Sequence, residues 1–145
     1  MPDEPVHARV DGIRTSAIVS NLIDNAIKYS PSGGRLQVEV LGAAWGSAAV
    51  RVKDEGLSID ANDQARLFSR FGRIVTADNS HIPGSGLGLY LAQRVARLQG
   101  GDLVLEVSKP GFGSSFRLDL VLPVGTSSLR LGKLANTTDL VRCYC

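Results

Sequence analysis

The chain has 145 residues, 43% of them hydrophobic, and sets 16 Lys and Arg against 14 Asp and Glu for a formal net charge of +2. This length suits one globular domain with a modest core, and charges so evenly mixed exclude the concentrated basic stripe of a nucleic-acid-binding protein. Cys143 and Cys145, the only cysteines, sit at the extreme C-terminus; without a disulfide framework, a leader or a run of roughly 20 apolar residues, a cytoplasmic domain is expected, any membrane anchor of the parent protein lying outside the sequence.

In chain order, residues 6–10 alternate like a short strand. Asp11-Gly12 then opens a helical period through Ile13, Ala17, Ile18, Leu22, Ala26 and Tyr29 that should stop at Pro31. Leu36, Val38 and Val40, then Ala48, Val50 and Val52, alternate with polar residues around a loop at 42–47, which predicts an antiparallel hairpin. Asp60 opens a short helix through Leu67, Phe68 and Phe71, residues 72–85 show no period, and residues 87–98 recover a helical one that Gly100-Gly101 breaks. Leu103, Leu105 and Val107, then Phe116, Leu118, Leu120 and Leu122, predict two further strands around a turn at 110–113. Helices grouped along such a strand set imply an α+β fold, one helical layer on one mixed sheet. One domain over 1–123 is expected, with 124–145, weakly periodic and poor in large apolar residues, as a C-terminal extension.

Three stretches carry chemistry. In NLIDNAIKYSPSGG, which begins at Asn21, Asn21 and Asn25 stand four residues apart on one helix face, with Lys28 three further on. Asparagine is a poor interior helix residue. Its amide oxygen is a hard, neutral ligand for Mg²⁺, and an ammonium beside it suits phosphate; the alternative is a polar helix face without a ligand. In GSGLGL, residues 84–89, a glycine-rich turn runs straight into a helix and leaves the first backbone N–H groups for an anion. The alternative is a glycine-rich helix start needed only for close packing. No strand precedes it, so it is not a dinucleotide fingerprint, and there is no Walker lysine. Asp54, at a strand end before Gly56, offers an acceptor-only carboxylate to an exocyclic amine such as that of adenine, or simply caps a turn.

Taken together and in this order, NLIDNAIKYSPSGG, VKDEGLSI, RLFSRFGR and GSGLGLYLAQRVARLQGGDLVLEVSKPGFGSSFRLDLVLP resemble the nucleotide-binding catalytic domain of sensor histidine kinases over residues 6–123. The resemblance implies a Bergerat fold, a two-layer α/β sandwich whose mixed, mostly antiparallel sheet is covered on one face by about three helices. It implies ATP and Mg²⁺ as cofactors, with Asn25 holding the metal. Asn21, Lys28 and Arg73 form the implied catalytic set, Arg73 directed toward the terminal phosphate, and Lys28 and Tyr29 also contact nucleotide. Asp54 receives the adenine amine, Gly56 leaves room for the base, and Ser58 and Ile59 lie beside it. Phe71 belongs with Phe68 to a short aromatic box, residues 72–85 to an ATP lid, and Gly84, Gly86, Leu87, Gly88 and Ser115 to the remaining nucleotide contacts.

The implied activity is transfer of the γ-phosphoryl group from Mg-ATP to a histidine on a separate dimerisation domain of the same kinase, and onward to a response regulator. The isolated domain is then a monomer, inactive in autophosphorylation without its acceptor. Gyrase-like ATPases of the same fold place a glutamate four residues before the metal-binding asparagine as general base. That position is Asn21 here, and an amide cannot take the proton, which argues for phosphoryl transfer over hydrolysis. His7 and His81 belong to no long preceding helix and are read as bystanders. Two positions depart from the family pattern: Asp60 replaces a common proline, and Ser58 stands at the second glycine of D-x-G-x-G. A Cβ at a positive φ there would cost on the order of 1 kcal/mol. The alternative reading is therefore a degenerate module with weak or no nucleotide binding that acts through protein contacts.

Overall fold

A computed structural model describes residues 7–8, 11–43, 47–75, 80, 82–121, 129–130 and 141–142. Helix α1 (Gly12–Lys28) begins where the Asp11 carboxylate accepts a hydrogen bond from the Arg14 backbone N–H at 3.0 Å, satisfying a first-turn donor that no helical carbonyl reaches. Thr15, Ile18, Leu22 and Ala26 recur at helical spacing and form its buried stripe. The helix ends at Lys28, just ahead of Pro31, whose ring disfavours helix in the residue before it.

Strands β2 (Arg35–Ala43) and β3 (Ser47–Asp54) form the predicted hairpin, with Val38 opposite Val52 and Val40 opposite Val50. Strands β4 (Asp102–Lys109) and β5 (Gly113–Val121) form a second, and β5 pairs with β3. Two short pieces complete the ladders: Val141–Arg142 (β7) lies on the free edge of β2, giving the order β4-β5-β3-β2-β7, while His7–Ala8 (β1) pairs apart from that sheet with Leu129–Arg130 (β6). Every ladder among the described residues is antiparallel. Helices α1 and α3 (Gly88–Leu98) cover one face of the sheet, so that Ile18, Leu22, Ala92 and Ala96 meet Val50, Val52, Leu103 and Leu118 in one core. This is the expected two-layer α+β sandwich, except that the sheet expected to be mixed holds no parallel pair among the described residues. The third helix, α2 (Ala61–Gln64), is shorter than its pattern predicts: turns follow it to Phe71, whose φ of 57° cannot continue a helix. Most of the 124–145 segment, with both cysteines and the boundary at 123, lies outside the described residues, as do residues 76–79 and His81 of the expected lid.

Among the described residues the strand register shifts once, with consequences on both faces. Leu105 stands opposite Phe116, but Val107 stands opposite Ser115 and Ser108 opposite Ser114, so Glu106 is an extra residue in β4. Such a bulge shifts the two-residue period by one. Val107, expected inside, is 42% exposed, and Ser108 turns inward and is buried. On the outer face, Arg51 and Arg117 are direct cross-strand neighbours, an unfavourable pairing of like charges. Glu106 bridges them, 2.6 Å from Nε of Arg51 and 3.1 Å from Nη1 of Arg117, while Glu39 and Asp119 flank the two arginines. The hydrogen bond from Arg51 holds the Glu106 carboxyl down to about 2, the Ser115 hydroxyl and the Arg117 charge acting in the same direction.

Candidate functional site

A cleft of about 730 Å³ opens between α1, the end of β3, α2, the segment after Gly72 and the start of α3, a volume in the range of small-ligand sites. Its α1 wall carries Asn21, Asn25 and Lys28. Helical spacing puts all three on one side, and the Asn25 amide nitrogen donates to the Asn21 amide oxygen at 3.2 Å. Asn25 thereby keeps its own amide oxygen free of any hydrogen bond among the described residues. The start of α3 stands against this wall: a Cβ built on Gly88 would lie 2.8 Å from the Asn21 amide nitrogen. No side chain caps α3 at Leu87, so its first backbone N–H groups stay available and carry the positive end of the helix dipole. Amides, an ammonium and a helix N-terminus at one end of a cleft suit a polyphosphate.

The other end is built on Asp54, which is buried at 7% exposure and has no ion-pair partner among the described residues. Burial pushes its carboxyl above the ordinary value, against hydrogen bonds from the backbone N–H groups of Gly56 and Ser114. The Gly56 donor is 2.9 Å away. Gly56 itself is excluded from the cleft wall, and its need for glycine has another cause: a Cβ there would lie 2.2 Å from the Tyr29 carbonyl oxygen, which also accepts from Leu57 N–H at 2.7 Å. The loop after β3 is thus pressed onto the end of α1, which fixes Asp54 relative to Asn25.

The structure brings Asn21, Asn25, Lys28, Tyr29 and Asp54 to the cleft, together with Ser58, Ile59 and Arg73, and with Gly84, Gly86 and Gly88. Ser58 has no positive φ, so the backbone strain expected at that position is absent. The Arg73 guanidinium donates to the carbonyls of Gly84, at 3.1 Å, and of Ile82, binding the far end of the 72–85 segment back onto its start. Four predicted contacts lie off the cleft wall. Besides Gly56 these are Leu87, which sits at the helix cap, Phe71 and Ser115. Phe71 is 63% exposed under the Arg70 guanidinium, 5.4 Å from its ring centroid, whereas Phe68 packs edge-on against Phe116. Ser115 points to the outer face and donates to Glu106 at 3.1 Å. Its neighbour Ser114 faces the cleft instead, as do Ser108, Asp63 and Gln64. Extending the alternation of Phe116 and Leu118 backward by two residues reaches Ser114, so that residue was within reach of the sequence; Ser108 was hidden by the bulge.

Residues 10–124 match the family model described as histidine kinase-, DNA gyrase B- and HSP90-like ATPase. The sensor histidine kinase RcsC of Escherichia coli K12 is 34% identical over 121 residues, covering 83% of this chain and 12% of that protein. The sensor-like histidine kinase SenX3 of Mycolicibacterium smegmatis is 37% identical over 121 residues, covering 81% and 31%. Among solved structures, the mycobacterial sensor histidine kinase MprB aligns with a TM-score of 0.67 at 31% identity, over 78% of this chain and 73% of that one. The chain belongs to this ATPase family, as an ATP-binding domain of the sensor histidine kinase kind. It spans less than a third of the length of these curated relatives.

Proposed function

We propose that the chain binds Mg·ATP in this cleft and presents the γ-phosphoryl group to a histidine on a separate dimerisation domain, from which it passes to a response regulator. The observation that carries this reading is the absence of a carboxylate from the α1 wall: among the described residues the cleft's acidic groups are Asp54, Asp60 and Asp63, on the end of β3 and the start of α2, and the polar groups of α1 are the Asn21 and Asn25 amides and Lys28. Water attacking at the phosphate end would find no general base on that wall. Asn25 is the residue that would hold Mg²⁺. Among the described residues no cluster of three or more His, Cys, Asp or Glu exists, but one amide oxygen suits an ion that keeps several waters and takes its remaining ligands from phosphates. The ion, when bound, neutralises charge on the transferring group. Lys28 and the α3 N-terminus orient the phosphates, and Asp54 accepts a hydrogen bond from the base amine.

The 145 residues alone are then a monomer that does not autophosphorylate. The feature favouring a module without nucleotide was strain at Ser58, and the backbone there supplies none. Among the described residues no helix is long and apolar enough to cross a membrane. Mixing the chain with a histidine-bearing dimerisation domain and γ-labelled ATP tests the reading. Label on the histidine, with no phosphate released by the chain alone, is expected; sustained release without the acceptor domain would contradict it.

A further inference from the structure

The bulge in β4 places Ser108 where no residue of the expected set lies. Its hydroxyl oxygen accepts the Ile59 backbone N–H at 2.7 Å and lies 2.8 Å from the Ser114 hydroxyl. Both serines are buried and both line the cleft, Ser114 being the cross-strand partner of Asp54. The Ile59 carbonyl accepts from the Gln64 side chain at 3.1 Å, so one peptide group on each side of Ile59 is held. A serine hydroxyl has a single proton. The Ser108 oxygen, which accepts from Ile59, has a second lone pair, so either serine can be the donor of the bond between them, and that bond uses one of their two protons. Whichever way it runs, the pair keeps one proton to donate into the cleft.

We propose that Ser108 is a positioning residue of the nucleotide site: it pins the Ile59 amide and, bonded to Ser114, holds a hydroxyl pair with one proton to spare, so that the cleft shows an oriented donor beside the Asp54 acceptor. This rests on the nucleotide-binding reading above and adds a reason for base selectivity. An adenine edge offers an amine donor next to a ring-nitrogen acceptor, which complements a carboxylate beside a hydroxyl donor. Guanine offers a carbonyl acceptor next to a ring N–H donor, the reverse order. A carboxylate alone would also accept the paired N–H groups of guanine. The oriented hydroxyl is what disfavours that binding mode, because a buried donor left facing another donor is costly.

Two measurements on the full chain test this, with Ser108→Ala and Ser108→Thr. Amide hydrogen exchange without nucleotide reads the pinning, and the Leu57 amide, bonded to Tyr29 rather than to Ser108, serves as reference. In Ser108→Ala the Ile59 amide is expected to exchange about tenfold faster or more while Leu57 is unchanged, and Ser108→Thr restores it. Calorimetric titration with ATP and with GTP reads the orientation: Ser108→Ala should weaken ATP about fivefold to tenfold and shrink the ATP preference by a similar factor, with Thr restoring both. Equal acceleration of Ile59 and Leu57, or an unchanged Ile59 rate, overturns the pinning; an unchanged nucleotide preference overturns the orientation. A wild-type chain that binds neither nucleotide overturns the functional reading and the selectivity with it, while the exchange rates still decide whether Ser108 holds Ile59.

Discussion

The Asn21 amide nitrogen would stand 2.8 Å from a Cβ on Gly88. Helices α1 and α3 therefore meet at the cleft through a side-chain amide on one and bare backbone on the other, and that closeness keeps the α3 N-terminus beside Asn25 and Lys28. Gly88→Ala forces Asn21 aside and breaks its hydrogen bond with Asn25. ATP affinity should fall about tenfold or more. Circular dichroism should show the fold unchanged, since alanine is a better helix former than glycine; titration of ATP into the variant measures the loss.

Asp54→Asn separates stability from binding. Burial holds the wild-type carboxyl above its ordinary value, so the folded chain binds this proton more tightly than the unfolded one. The ionised form at pH 7 therefore detracts from stability, and the deficit disappears as acid protonates the group in both states. Urea denaturation of Asp54→Asn should give a midpoint equal to or above that of wild type at pH 7, the gap closing at low pH. Calorimetry should show ATP binding about 100-fold weaker or lost, because a carboxamide can set a donor against the base amine.

Glu106→Gln should weaken the fold without touching the cleft. The wild-type carboxyl is lowered from 4.5 to about 2, which places its contribution at pH values above about 4.5 and removes it as pH falls through about 2. At pH 7 the variant should lose on the order of 2 kcal/mol, a figure reduced for the partial exposure of Arg117. Its difference from wild type should shrink across that acid range, followed by denaturant titration at several pH values. Nucleotide affinity should not change.

What the sequence showed and what it hid divide along physical lines. The period of Ile18, Leu22 and Ala26 and the alternation of β2, β3 and β5 come from burial on one face, which a sequence records directly. Asn21, Asn25 and Lys28 were legible because their spacing puts them on one side of α1, and Asp54 because it ends a strand just before Gly56. Val107 was expected inside and Ser108 was not singled out for one reason: facing depends on register, and the extra residue at Glu106 reverses it. The role of Gly56 was also hidden, since its neighbour, the Tyr29 carbonyl, is brought there only by the tertiary fold.

Asn25→Ala addresses the metal. Asn25 is only half-buried and lies outside the core stripe of α1, so its loss should leave thermal unfolding nearly unchanged. Removing the amide oxygen should abolish the part of ATP affinity that depends on Mg²⁺. Titrations with and without the ion should differ in wild type and coincide in the variant.

Direct calorimetric titration of ATP into the wild-type chain in the presence of Mg²⁺ bears most closely on the whole account. A saturable heat at one nucleotide per chain, much reduced when Mg²⁺ is chelated, is the expected result. No heat at millimolar ATP would mean that the space between Asn25 and Asp54 does not serve this ligand, and an isotherm indifferent to the ion would contradict a metal held at Asn25.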